Sequence, residues 1–293
     1  MPSYVTDENL TEVVMQRWQD IPDPRLREVM QSLIKHLHGF VKDVQLTQPE
    51  WFAAIQWLTR TGQLCDDKRQ EFILTSDVLG VSMLVDSINN RLPKGATPST
   101  VEGPFHVHDA PEIANGELVT KDAPGVPCLV VGKVTSMDGK PIPGAMLDMW
   151  QTDGEGLYEA QREDVQGAWM RGIYHSQPDG SFIVRTVVPL AYTIPMDGTI
   201  GELMNKTNMS HMRPAHIHFA IGANGFHPVT THLFEKGDEW IAKDAVYGVK
   251  EELIVEFKKQ PPGKAPNGET FNEPWYLVEY DFVLDRLAKA AAA

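Results

Sequence analysis

Apolar residues recur at helical spacing in the first third of the chain and at alternating spacing afterwards, and the two patterns meet near residue 92. Between residues 24 and 44, Leu26, Val29, Met30, Leu33, Ile34, Leu37, Phe40, Val41 and Val44 keep i, i+3, i+4 intervals. Asp23 followed by Pro24 supplies the start signal, so one long amphipathic helix is expected there. Thr47 and Pro49 open a second helix carrying Phe52, Ile55 and Leu58, and the run from Asp67 through SDVLGVSMLVDSIN predicts one or two more.

Past LPKGATPST the pattern changes to short β-favouring runs, among them CLVVGKVTS, DGSFIVRTVV, AHIHFAIG and LIVEFKK. Asp138-Gly139, Asp179-Gly180 and Asn224-Gly225 between or within these runs are hairpin signals. Residues 1–92 hold seven Gly and Pro against thirty-seven in the remainder, which places the change of architecture in the same stretch. The expected fold is α+β: an N-terminal helical layer over residues 1–95 and an antiparallel β-sandwich of roughly ten strands over residues 96–293. The closing LDRLAKAAAA is helix-prone but lacks an apolar face.

Charge narrows the functions available. The 26 Lys and Arg against 40 Asp and Glu leave a net charge of -14, which repels nucleic-acid phosphates and anionic membrane surfaces. No apolar leader and no run of 18 apolar residues occurs, so a cytoplasmic protein is expected. Cys65 and Cys128 stand far apart without a CxxC, which argues for two buried thiols rather than a zinc or redox motif.

Ten histidines include three His-x-His pairs. His36 and His38 fall on the long helix, where two positions turn the rings about 200° apart. His106 and His108 follow GPF in a loop. His216 and His218 lie in Arg213-Pro214-Ala215-His216-Ile217-His218-Phe219, which reads as a strand, so both imidazoles project from one face while Ile217 and Phe219 enter the core. No Cys cluster or HxxxH completes a zinc site around them. The remaining donors are tyrosines: Tyr158 in the Gly-rich loop after the strand ending at Trp150, and Tyr192 at the end of the strand 183–190. A tyrosinate near neutral pH needs a strong Lewis acid, and ferric iron suits anionic oxygen better than zinc does. Spacing alone leaves these tyrosines and histidines open to a structural role, as in a non-enzymatic, transthyretin-like binding sandwich.

GKVTSMDGKPIPGAMLDMWQTDGEGLY, RTVVPLAY and RPAHIHFAIGANGFHPVTTHLFEKGDEW resemble, in order, the catalytic-domain signatures of the intradiol ring-cleavage dioxygenases. The helical part joined through TPSTVEGPF is similar to that of the catechol and hydroxyquinol 1,2-dioxygenases. The resemblance implies non-heme Fe(III) held by Tyr158, Tyr192, His216 and His218, with Tyr192 displaced when a diol binds and Arg213 stabilising developing negative charge. O₂ then opens an aromatic ring between adjacent hydroxyls. His232 stands where many catechol-cleaving members carry glutamine, which favours the hydroxyquinol branch over catechol or substituted catechols. Leu74, Asp77, Val101, Gly103, Pro104, Ile194, Pro195 and His232 are the implied substrate-binding residues, with Asp77 either capping a helix or accepting a bond from a third substrate hydroxyl. The family further implies a homodimer through the N-terminal helices around a lipid-filled channel, a lipid for which the sequence itself carries no signal.

Overall fold

In the computed structural model, which describes residues 4–66, 69–162, 164–165 and 167–288, five helices precede the first strand. They are α1 (Leu10–Arg17), α2 (Pro24–Asp43), α3 (Gln48–Gln63), α4 (Glu71–Val78) and α5 (Val81–Asn89). The start signals act as their chemistry dictates. Asp23 Oδ1 accepts from the backbone N–H of Arg25 (2.8 Å) and Leu26 (3.3 Å), with Pro24 at the first helical position. Thr47 and Glu50 bond reciprocally at the head of α3, a capping box. Asp67, where the next helical run was expected to begin, lies outside the described residues.

The chain divides into two compact units, residues 1–63 and residues 64–293, so α4 and α5 are counted with the strands. In the first unit α1 packs on α2, and Thr11 Oγ1 meets His38 Nδ1 at 3.0 Å, which accounts for that histidine; His36 is exposed. Ile34 is the one residue of α2 that is fully buried. The stripe Leu26, Val29, Leu33, Leu37, Phe40, Val41 and Val44 instead stays between 44 % and 54 % exposed.

The second unit continues with β1 (Pro127–Ser136), β2 (Met146–Gln151), β3 (Arg171–His175), β4 (Ser181–Val187) and β5 (Tyr192–Thr193). Helix α6 (Thr199–Thr207) follows, then β6 (Met212–Arg213), β7 (His216–Gly222), β8 (Val229–Glu235) and β9 (Ile254–Val255). The last strands are β10 (Lys258–Gln260), β11 (Gly263–Lys264), β12 (Thr270–Phe271), β13 (Trp275–Glu279) and β14 (Phe282–Leu284). One sheet runs β10-β13-β1-β14 with β4 also on β1, and the other runs β3-β2-β7-β8-β9.

The sheets are mixed rather than purely antiparallel: β13 and β14 pair with β1 in parallel, and β9 with β8 likewise. These strands return after long excursions instead of hairpins, which frees their direction. In the closing segment Leu284 ends a strand and Arg286 bridges to Phe226; residues 289–293 lie outside the described part. Cys128 is buried, whereas Cys65, also expected to be buried, is only half-buried.

Alternation sorts the strands as the period of two requires. Leu147 and Met149 of β2 and Ile217, Phe219 and Ile221 of β7 enter one core with Val130, Val134, Val184 and Phe282 of the facing sheet. Their neighbours Trp150, His216 and His218 are therefore turned to the other face, away from the facing sheet. At Gly180 (φ 79°) a Cβ would lie 2.7 Å from the Val134 carbonyl, which is why the Asp-Gly turn there admits no side chain.

Candidate active site

The register of four strands aligns Arg171 of β3, Trp150 of β2, His218 of β7 and His232 of β8 in one row. His216 lies two residues along the same face of β7, and its ring is 4.7 Å from that of His218. The His216 Nδ1–H donates to the Pro214 carbonyl (2.7 Å), which leaves its Nε2 lone pair facing inward. The Nε2 atoms of His216 and His218 are 3.1 Å apart. Burial first, and the neighbouring Arg213 charge after it, hold His216 well below the usual histidine range; burial and the adjacent histidines do the same for His218. Both rings are therefore neutral and able to donate lone pairs.

Tyr158 and Tyr192 complete the cluster from two separate loops. Tyr158 heads a single helical turn, residues 159–161, with its backbone N–H held by Gln161 Oε1 (3.0 Å) and its ring stacked on Phe105 (4.2 Å, 13°). Tyr192 was expected at the end of the strand before it, but β4 stops at Val187 and Tyr192 instead forms β5, paired with Arg213. The two phenol rings meet edge to face at 5.5 Å. Burial, then the facing Tyr192, push the Tyr158 phenol well above its ordinary range. Its hydroxyl is buried and makes no hydrogen bond.

These residues fit a cation. Two imidazole nitrogens bound to one metal at about 2.1 Å and at right angles lie about 3.0 Å apart, close to the observed spacing. A buried phenol without a partner is costly unless ionised against a positive charge. Among the described residues, His216, His218 and His232 form the only group of His, Cys and acidic side chains close enough to hold a metal, their donor atoms lying within 4.8 Å. His232 is committed elsewhere: Nδ1 bonds Thr100 Oγ1, and Nε2 accepts from Arg213 Nη2 at 3.5 Å.

Arg213 is 3 % exposed and central. Its Nη1 donates to the Tyr192 hydroxyl and to His216 Nε2, each at 3.4 Å, and its Nε donates to Asp244 Oδ1 at 3.2 Å. Burial is the largest influence on the guanidinium and opposes its charge, but Asp244 and the two tyrosines outweigh it and raise its pKa. Asp244 is itself fixed by the Gly248 N–H (2.8 Å). Sequence reasoning missed this aspartate, because Asp-x-x-x-Gly reads only as turn chemistry and nothing in it announces an arginine 31 positions upstream. It also missed Phe105 under Tyr158 and Trp150, which stacks on His218 (4.5 Å, 15°). His106, by contrast, is taken up by Asp148 (2.8 Å).

Leu74, Asp77, Val101, Gly103, Pro104, Ile194 and Pro195 line one narrow cleft, joined by Phe105, Tyr192, Arg213 and Val246. His232 does not line it and stands behind, its ring 3.9 Å from that of His218. Asp77 is the penultimate residue of α4, so it caps no helix start. Burial raises its pKa, with Ser82 and Arg213 opposing.

A buried cleft with neutral imidazoles, paired phenols and a fixed guanidinium offers a donor set of the kind that could hold a metal ion beside a bound substrate. Residues 101–286 match the family model described as Dioxygenase, and residues 23–97 match that of the catechol dioxygenase N terminus. The chain is 46 % identical to a 6-chlorohydroxyquinol 1,2-dioxygenase of Cupriavidus pinatubonensis, over 94 % of this chain and 96 % of the other. It is 42 % identical to a hydroxyquinol 1,2-dioxygenase of a Rhizobium species, over 97 % of each. The solved structure of a hydroxyquinol 1,2-dioxygenase from Pseudomonas putida superposes with a TM-score of 0.91 at 43 % identity, covering 96 % of this chain and 99 % of that one. The chain belongs to the intradiol ring-cleavage dioxygenase family. Among the described residues no helix is long and apolar enough to cross a membrane.

Proposed function

We propose that the protein cleaves hydroxyquinol, benzene-1,2,4-triol, between carbons 1 and 2 to 3-hydroxy-cis,cis-muconate, which tautomerises to maleylacetate. The observation that carries this choice is Asp77, a buried carboxylate on the cavity wall in a cleft otherwise lined by apolar groups, Tyr192 and Arg213. Tyr158, Tyr192, His216 and His218 would hold ferric iron, which when bound keeps phenolate oxygens ionised near neutral pH and activates a chelated diol toward O₂. Tyr158 is sealed beneath Phe105, whereas Tyr192 reaches the cavity, so Tyr192 is the phenol able to exchange places with a diol oxygen and take up its proton. Arg213 faces the same space and stabilises negative charge developing on the opened ring. Asp77 accepts a hydrogen bond from the third hydroxyl, and Leu74, Ile194 and Pro195 confine the flat ring and exclude water.

The same reading makes the protein a homodimer through its N-terminal helices. The apolar stripe of α2 and the exposed Trp51, Phe52, Ile55 and Leu58 of α3 support it, because so many large apolar side chains left exposed mark an interface.

The test is O₂ uptake and product identification with a panel of catechol, chlorocatechols and the triol, for the native protein and Asp77→Ala. A site built to bond a hydroxyl discriminates by up to about 10⁴ against a substrate lacking it. Loss of Asp77 should therefore lower kcat/KM for the triol far more than for catechol. Equal losses, or a native preference for catechol, would sink the triol assignment.

A further inference from the structure

Glu71 is 1 % exposed, yet it does not line the cleft. A buried carboxylate persists only where donors surround it, and Glu71 has four. Its Oε1 accepts from the Thr199 hydroxyl (3.1 Å) and the Ile200 backbone N–H (3.0 Å), at the first turn of α6 where the helix dipole favours an anion. Its Oε2 accepts from Arg69 Nε (3.1 Å) and Nη2 (2.9 Å). Arg69 reaches on to Asp197 through Nη1 (2.8 Å) and Nη2 (3.0 Å).

The approach is close enough to need glycine. A Cβ on Gly198 would lie 2.3 Å from Glu71 Oε1 and 2.4 Å from Arg69 Nη2. A Cβ on Gly201 would lie 1.9 Å from the Met196 carbonyl, so the 194–198 loop is folded tightly onto α6 and the two act as one piece. That loop carries Ile194 and Pro195, and Tyr192 just precedes it; α4, which starts at Glu71, carries Leu74 and Asp77. The two walls of the cleft are thus tied to each other at Glu71.

We propose that Glu71, held by the head of α6 and by an Arg69 that is itself anchored on Asp197, is a positioning residue that sets the distance between the α4 wall and the 192–198 wall, and with it the substrate selectivity of the cleft. The proposal rests on the reading of this cleft as the diol site. Buried polar networks fix one geometry more than they add stability, and this one spans the two elements whose separation a ring-sized ligand would sense. Replacing Oε2 by an amide sets N–H against the Arg69 guanidinium and opens the tie while keeping an acceptor for α6.

The experiment uses the iron-loaded full chain with Glu71→Gln and Asp197→Asn, compared with Phe271→Ala. Phe271 belongs to a separate small cluster with Leu129, Ala265 and Trp275. Iron per chain, the visible absorption, Tm, and kcat and KM for the triol and catechol are measured. Glu71→Gln should keep iron and colour but raise KM and shift the triol-to-catechol ratio of kcat/KM by about 10- to 100-fold, the scale of a small misplacement. Phe271→Ala should lower Tm and leave that ratio alone. An unchanged ratio in Glu71→Gln, with Tm lowered as in the control, would overturn the proposal. Should Glu71→Gln fail to fold, Asp197→Asn, altered at the exposed end of the tie, decides on the same ratio with a smaller shift. A native enzyme that prefers catechol refutes the triol reading but not Glu71, because any change of the ratio on opening the tie still counts for it.

Discussion

The helical unit and the sandwich handle their apolar residues in opposite ways. On β2 and β7, Leu147, Met149, Ile217 and Phe219 are wholly buried, and their polar neighbours are buried too, in the candidate active site. On α2 only Ile34 is buried, while Leu33, Leu37 and Phe40 stay about half exposed. Both faces of the sandwich sheet therefore have a destination inside the chain. The outer stripe of α2 has none among the described residues, and it is the surface on which the proposed dimer rests. Damage to the first region should act on chemistry, and damage to the second on assembly.

The largest effect is expected at Tyr158. Its phenol is buried without a hydrogen-bond partner, so Tyr158→Phe removes an oxygen donor and nothing else of comparable size. Tight iron binding and the tyrosinate absorption in the visible should be lost together with turnover. A fully coloured, fully active variant would count against the whole ligand set.

Arg213→Ala comes next, with a fall in kcat of about 10²–10³, typical of losing one positioned charge-stabilising group. Removing the guanidinium also leaves Asp244 buried without its cation, so thermal stability should drop alongside. Iron content separates the two consequences. Near-normal kcat with iron retained would leave Arg213 only a structural partner of Asp244.

On the helical side, Leu37→Glu with Phe40→Glu puts two carboxylates into the exposed stripe. Sedimentation should give half the mass of the native protein, and kcat should be largely kept. An unchanged mass would remove the stripe from the interface, and a monomeric native protein would remove the interface altogether.

How much of this was legible beforehand follows the range of the interactions. The His216 and His218 pair was readable because a strand has a period of two, and the outcome depends on nothing beyond the strand itself. The caps at Asp23 and Thr47 are equally local. Tyr158 and Tyr192 were not derivable from spacing. They reach the histidines from places 34 positions apart; their positions near strand ends made them candidates, and the family resemblance pointed to them as ligands. Asp244, Trp150 and Phe105 gave no signal, since each acts through a contact that the sheet register or a loop creates. The period of α2 revealed that an apolar face exists but not whether the chain would cover it, and the parallel pairing of β13 and β14 with β1 depends on long excursions that local patterns do not encode.

The smallest effect separates local stability from both chemistry and assembly. Asp23 accepts two hydrogen bonds at the head of α2 and is exposed, so Asp23→Ala returns the freed N–H groups to water rather than stranding them. The cost should be that of an ordinary helix cap, about 1 kcal/mol, which lowers Tm by about 2–4 °C in a chain of this size if the two units melt together. Asp23→Asn should recover most of it, because the amide oxygen can still accept. Neither variant should alter kcat, KM or the sedimenting mass, since Asp23 lies in the helical unit but outside its apolar stripe. A melting curve that splits in two, with only the earlier transition moved, would instead reveal a helical unit that unfolds on its own. A change in kcat would contradict the separation of roles between the two units.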